Sequence, residues 1–336
     1  MHEARFYISE KEGKVRCTLC PHECLVAEGR YGSCKVRLNQ NGKLFSEVYG
    51  RIAALNLDPI EKKPLYHFFP GQQILSVGTA GCNLHCIFCQ NDSLSQHGVD
   101  ENRHSITTDP AALVRKALAV PGNIGIAHTY NEPFVFYEFM ADCARQAHQA
   151  GLRNVVVSNG YLNPAPLQEL LPLIDAFNID LKAFSDDFYR RQTGGRLQPV
   201  LESLQIIAEA KKHLEITNLV IPTLNDSAEE FESMVQWIAE KLGKAVPLHL
   251  SRYFPAYRLS LPPTPSVLLE KFYRIARGYL DFVYLGNVSD DTRSATYCPN
   301  CLAPLITRHR YETNLNRLTP DGKCADCGNP VPVVLN

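Results

Sequence analysis

The chain has 336 residues, 45% of them apolar, with 34 Lys and Arg against 35 Asp and Glu and a formal net charge of −1. That is enough apolar material for one large core with small appendages, and the near-balance of charge excludes a global field drawing the protein to nucleic acid or membrane. The opening MHEARFYISEKEGK lacks the apolar centre of a signal peptide, and no run approaches the roughly 18 apolar residues of a spanning helix. The expected location is therefore cytoplasmic, where twelve cysteines point to metals rather than disulfides.

In chain order, the first cysteine set is Cys17-x2-Cys20-x3-Cys24-x9-Cys34. Four thiolates suit zinc or a [4Fe–4S] cluster; zinc is slightly favoured, because a short segment needs a staple. From Ile74, short apolar runs alternate with amphipathic stretches. ILSVGT, IGIAH, NVVVS, FNIDL, LEITNLVI, VPLHLSRY and FVYLGNV read as strands. Between them lie helices opened by Asp109-Pro110, running from about Pro133 to Gly151, around LQELLPLI, up to about His213, at EEFESMVQWIAEKLG and at VLLEKFYRIARGYL. Six or seven parallel βα units predict an α/β fold, a partial (β/α)6-type TIM barrel, over a doubly wound sheet. The expected organisation is an N-terminal four-cysteine region over 1–71, the barrel over 72–290 and a metal-binding C-terminal region over 291–336. There Cys298-x2-Cys301 and Cys324-x2-Cys327 form two knuckles for one tetrahedral metal, zinc before iron, with Gly328 easing the second turn. Cys143 stands alone in a helical pattern and reads as a small buried apolar residue.

The central string is GTAGCNLHCIFCQND, with Cys82-x3-Cys86-x2-Cys89 at the carboxyl end of the first barrel strand, where barrels build active sites. Three thiolates can ligate three irons of a [4Fe–4S] cube and leave the fourth iron for an outside ligand. Gly78 and Gly81 are read as making room for the inorganic sulfides. The competing reading is a zinc knuckle completed by His85.

This spacing, with Phe88 before the last cysteine, resembles the radical S-adenosylmethionine (SAM) superfamily. Gln90-Asn91 resembles the His-Asn of pyruvate formate-lyase activating enzymes. HTYNEP resembles the Gly-Gly-Glu-Pro segment that holds the SAM amino group, with Tyr130 and Asn131 in place of the glycines. VVVSNGY, NIDLKAF and TNLVIPTLND resemble the following strand ends. The resemblance implies a [4Fe–4S] cluster on Cys82, Cys86 and Cys89. It implies SAM contacts at Asn131, Glu132, Ser158, Asp180, Lys182 and Asn218, with Ile221 beside the last. It also implies reductive cleavage of SAM to methionine and a 5′-deoxyadenosyl radical that takes hydrogen from a substrate. CTLCPHEC…GSC, DPIEKKPLYHFFPG, VYLGNV and the closing cysteine pairs resemble, more narrowly, the radical SAM enzyme of the AmmeMemoRadiSam system, which implies Memo-like and AMMECR-type partner proteins. An electron donor of flavodoxin or ferredoxin type follows from the chemistry.

Each residue also has a plainer role: Glu132 as a helix cap, Asp180 and Lys182 as a buried ion pair. His249, Tyr253 and Tyr257 follow the last inner strand as weaker substrate candidates. Three functions remain in view: a radical SAM enzyme acting on an unidentified substrate, a protein among the candidates; a glycyl-radical-enzyme activase; and a zinc-dependent nucleic-acid or protein-binding module. Near-neutral charge, with only KEGKVR and RHRYETNLNR as modest basic runs, argues against nucleic acid. The expectation is the first.

Overall fold

A computed structural model describes residues 1–99, 105–310 and 312–335. Its centre is an eight-stranded sheet. In chain order the strands are β1 (Ala54–Pro59), β2 (Gln73–Gly78), β3 (Asn123–His128), β4 (Arg153–Ser158), β5 (Ala176–Asp180), β6 (His213–Val220), β7 (Leu248–Arg252) and β8 (Val283–Gly286). They lie side by side in that same order. β1 runs antiparallel to β2, and every later pairing is parallel. Among the described residues no ladder returns β8 to β1, so the barrel is partial.

Helices α1 (Pro110–Ala119), α2 (Tyr137–Gln149), α3 (Pro164–Leu170), α4 (Leu197–Glu209), α5 (Ala228–Lys241) and α6 (Ser266–Arg277) follow β2 to β7, giving six βα units and a seventh parallel strand. Local chemistry explains their starts. Asp109 Oδ1 accepts the Ala112 N–H at 2.7 Å with Pro110 at the first helical position, and Ser227 Oγ accepts the Glu230 N–H. The helix expected from Pro133 begins instead as a 3₁₀ turn over Pro133–Phe136 and becomes α-helical at Tyr137. Among the described residues no helix is long and apolar enough to cross a membrane.

The segment between β1 and β2 plugs the amino-terminal end of the barrel. Ile60, Leu65 and Phe68 pack on Ile74, Val155 and Ala176 at the strand starts. Beneath them Glu215, fully buried on β6, accepts the Tyr66 and His67 N–H groups and pairs with His213 and His249. The C-terminal region docks on the same plug. Arg308 donates to the Tyr66 carbonyl at 2.6 Å and lies over its ring at 4.2 Å, while Thr313 donates to Glu61. With one end sealed by packing, only the carboxyl ends of the strands are left to build a site.

Candidate active site

The loop after β2 carries three thiols and is clasped by Asn131. Asn131 Oδ1 accepts the Thr79 N–H at 3.0 Å, and its Nδ2 donates to the carbonyls of Ala80 at 3.2 Å and Gly81 at 2.8 Å. The amide of Asn131 is therefore committed to the loop. Its neighbour Tyr130 holds φ +73°, the left-handed conformation that glycine takes easily, so the backbone bend survives without the glycine. The two glycines of the loop serve the surrounding protein. A Cβ on Gly81, at φ +84°, would lie 2.5 Å from the Cys34 carbonyl oxygen, and one on Gly78 would lie 2.8 Å from the Thr129 carbonyl oxygen. A packing reason thus stands for both glycines beside the expected one.

Cys82, Cys86 and Cys89 line one face of a cavity of about 590 Å³. The Leu84 N–H points at Cys82 Sγ at 3.3 Å and Asn159 Nδ2 at 3.7 Å. Burial pushes the Cys82 thiol well up, with the Glu132 carboxylate adding to it. Burial raises Cys86 to about 11, partly offset by the Lys182 ammonium. Such thiols shed their protons when a metal cation takes the proton's place. His85, which would complete a zinc knuckle, is engaged elsewhere: Nε2 with Ser33 Oγ at 2.8 Å and Nδ1 with Gln96 Oε1 at 3.2 Å.

The remaining walls come from successive strand ends. Glu132, 2% exposed, accepts Ser158 Oγ at 2.8 Å, the Asn159 N–H at 2.9 Å and the Phe134 N–H at 3.1 Å. It caps the 3₁₀ turn and faces the cavity as well. Burial raises its carboxyl to about 7, against those three hydrogen bonds. After β5, Lys182 Nζ donates to Asp180 Oδ2 at 2.8 Å. Burial opposes the Lys182 charge, but Asp180 and the neighbouring Cys86 hold its pKa above the usual lysine range. Ser158, Asp180 and Lys182 all line the cavity.

Asn218 does not. Its Nδ2 donates to the Leu181 carbonyl at 2.7 Å and lies 3.8 Å from Met234 Sδ, on the helix side of β6. Side chains alternate along a strand, so Thr217 and Leu219 take the inward positions and line the cavity. Ile221 is fully buried and outside the lining. His249 is bound to Glu215 at 2.6 Å, Tyr253 is buried with its hydroxyl on the Leu259 carbonyl, and Tyr257 is exposed; none lines the cavity. Sequence reasoning missed Asn159, although it sits in the quoted SNGY. It also missed Lys62 and Lys63 at the cavity wall, both paired with Asp58.

The other cysteine sets lie apart from the cavity. Among the described residues, Cys298, Cys301, Cys324 and Cys327 are the one group of three or more His, Cys, Asp or Glu whose ligand atoms all lie within 4.8 Å of one another. Cys298 and Cys327 are 3.6 Å apart, as are Cys301 and Cys324. Gly328 takes φ +72°, so it makes the second knuckle's turn. This set can bind a metal. Cys17, Cys20, Cys24 and Cys34 line a second, buried cavity behind the central loop. Cys143 is a fully buried core residue of α2.

The sequence model of the Radical SAM superfamily matches residues 76–238, a span that contains the three thiols and most of the cavity wall. The chain belongs to the radical SAM superfamily and is an enzyme of radical SAM type. Within it, the chain is 40% identical over 338 residues to the uncharacterized protein MJ0808 of Methanocaldococcus jannaschii, covering 100% of each chain. It is 24% identical over 164 residues to a pyruvate formate-lyase-activating enzyme of Clostridium pasteurianum, covering 47% of this chain and 66% of that one. In fold it is similar to a radical SAM methyltransferase from Sphaerobacter thermophilus, with a TM-score of 0.50, 18% identity, and coverage of 65% of this chain and 67% of that chain.

Proposed function

We propose that Cys82, Cys86 and Cys89 hold a [4Fe–4S] cluster with one open iron, and that the enzyme binds SAM there and cleaves it reductively. The observation that carries this is the convergence of three thiols, without a fourth protein ligand, on a cavity that Glu132 and Lys182 also line. A single zinc ion would need its ligand atoms gathered closely, and these three do not all lie within 4.8 Å of one another. When bound, the cluster supplies the electron that splits SAM into methionine and a 5′-deoxyadenosyl radical.

The chain's own residues do the positioning. Glu132 accepts the SAM ammonium in a charge-assisted hydrogen bond, and the incoming cation favours its ionised form against burial. Lys182 spends one of its three donors on Asp180 and keeps the others for an anionic group such as the SAM carboxylate. Thr217 and Leu219 form part of the cavity wall. Asn159, with its N–H···S contact, steadies Cys82.

A protein is the favoured substrate class, because relatives are named activating enzymes of other enzymes; a glycyl-radical activase is the narrower form of that reading. The donor is a reduced flavodoxin or ferredoxin. Memo-like and AMMECR-type partners rest on the motif resemblance alone. The C-terminal thiols hold zinc, since sulfurs 3.6 Å apart suit a tetrahedral ion with Zn–S bonds of about 2.3 Å.

Equilibrium binding of SAM to the anaerobically reconstituted protein tests the site. Binding is expected in the parent and lost in Cys86→Ala. Equal affinity in both would place SAM elsewhere.

A further inference from the structure

The N-terminal cysteines are a second candidate metal site, and their geometry separates it from the C-terminal one. A zinc ion about 2.3 Å from each of four thiolates sets the sulfurs about 3.8 Å apart, close to the 3.6 Å seen for the C-terminal pairs. Cys17, Cys20, Cys24 and Cys34 do not gather within 4.8 Å, yet all four line one buried cavity. The three thiols of the central loop are spread in the same way. A cube of four irons, with one thiolate at each corner iron, needs such a wider frame.

Arg37 gives an independent sign of the charge expected inside. It is 1% exposed and lines the cavity beside the thiols. Its Nη2 donates to both oxygens of Glu138, at 2.7 and 2.8 Å, and its Nη1 to the Arg5 carbonyl, but its Nε has no partner. A buried donor left bare is costly. An anionic thiolate-bound cluster would accept it. The Ser33 N–H already points at Cys24 Sγ, at 3.4 Å.

The cavity also abuts the central loop. Asn83, next to Cys82, lines it, and its carbonyl accepts His22 Nε2. With four protein ligands such a cluster has no open iron, which suits electron transfer and excludes SAM binding. We propose that Cys17, Cys20, Cys24 and Cys34 hold a second [4Fe–4S] cluster that passes single electrons from a reduced flavodoxin- or ferredoxin-type donor to the cluster on Cys82, Cys86 and Cys89. This revises the sequence preference for zinc. Its relay half rests on the proposed central cluster; its site does not.

The test is metal analysis with EPR on the full chain, reconstituted anaerobically. A triple variant, Cys82→Ala with Cys86→Ala and Cys89→Ala, is expected to keep about four irons and a dithionite-reducible EPR signal. The triple variant carrying zinc and no iron would overturn the second cluster while leaving the central site untouched. Should that variant not fold, native mass spectrometry of the parent decides: about eight irons and one zinc support the proposal, about four irons and two zincs overturn it. In the reduced parent, clusters on either side of Asn83 should broaden each other's signals. A spectrum equal to the sum of two isolated clusters would overturn the relay.

Discussion

Glu132 shows how one side chain can cap a helical turn and serve a site at once. Its three protein donors occupy both carboxylate oxygens, so Glu132→Gln, whose amide NH2 must face at least one of them, should fold with a lowered melting point. Losing a charge-assisted bond worth about 1.5–3 kcal/mol should weaken SAM binding roughly 10- to 100-fold by equilibrium binding. His128 is a different case. It is fully buried, both ring nitrogens lack partners, and burial alone lowers its pKa to about 3. The folded protein keeps this ring neutral while the unfolded chain protonates it near its ordinary 6.5. Stability should therefore fall as pH drops from 6.5 toward 3, at up to ~1.4 kcal/mol per pH unit from this residue. His67, lowered to about 3 chiefly by burial, adds to the slope. In His128→Leu, denaturant melts between pH 7.5 and 5 should show a shallower loss; an unchanged slope would show that His128 does not titrate in the unfolding equilibrium.

At the scale of elements, the seven parallel strands were readable because short apolar runs between amphipathic helices admit few other arrangements, and the cavity walls followed once those strand ends were located; the antiparallel β1, inside the segment expected to be a separate N-terminal region, was not. The facing of β6 was not readable. A parallel strand buried on both sides carries no polar alternation, so TNLV gave no way to tell Asn218 from its neighbours. The structure turns Thr217 and Leu219 inward. Accordingly, Leu219→Ala should alter SAM affinity. Asn218→Ala should leave affinity unchanged but cost about 1–3 kcal/mol, by stranding the Leu181 carbonyl. Arg37 and Lys63 were also invisible in sequence, since Arg37 acts through Glu138, far along the chain, and Lys63 is set over the Tyr130 ring, at 4.6 Å, only by the fold. The loop itself depends on Gly81. Gly81→Ala would push a methyl group against the Cys34 carbonyl and Val36; we expect a melting point lowered by several degrees and poor iron retention in the same preparation.

At the scale of the molecule, the two cysteine-rich flanks serve the barrel from opposite ends. The N-terminal set sits behind the central loop. The C-terminal set instead seals the amino-terminal plug through Arg308, Thr313 and the Val334 N–H on the His67 carbonyl. Cys324→Ser should therefore lose zinc and lower the melting point while the central iron content stays constant. Loss of central iron in that variant would show the two regions to be coupled. The roles given to Glu132, Lys182 and the central thiols depend on the central loop being a site of SAM cleavage. The most direct test is to reconstitute the full chain anaerobically with iron and sulfide, add dithionite and SAM, and measure 5′-deoxyadenosine and methionine by mass spectrometry. We expect both products from the parent and neither above background from Cys86→Ala; equal product from the two, or none from a parent that holds its iron, would contradict cleavage at Cys82, Cys86 and Cys89.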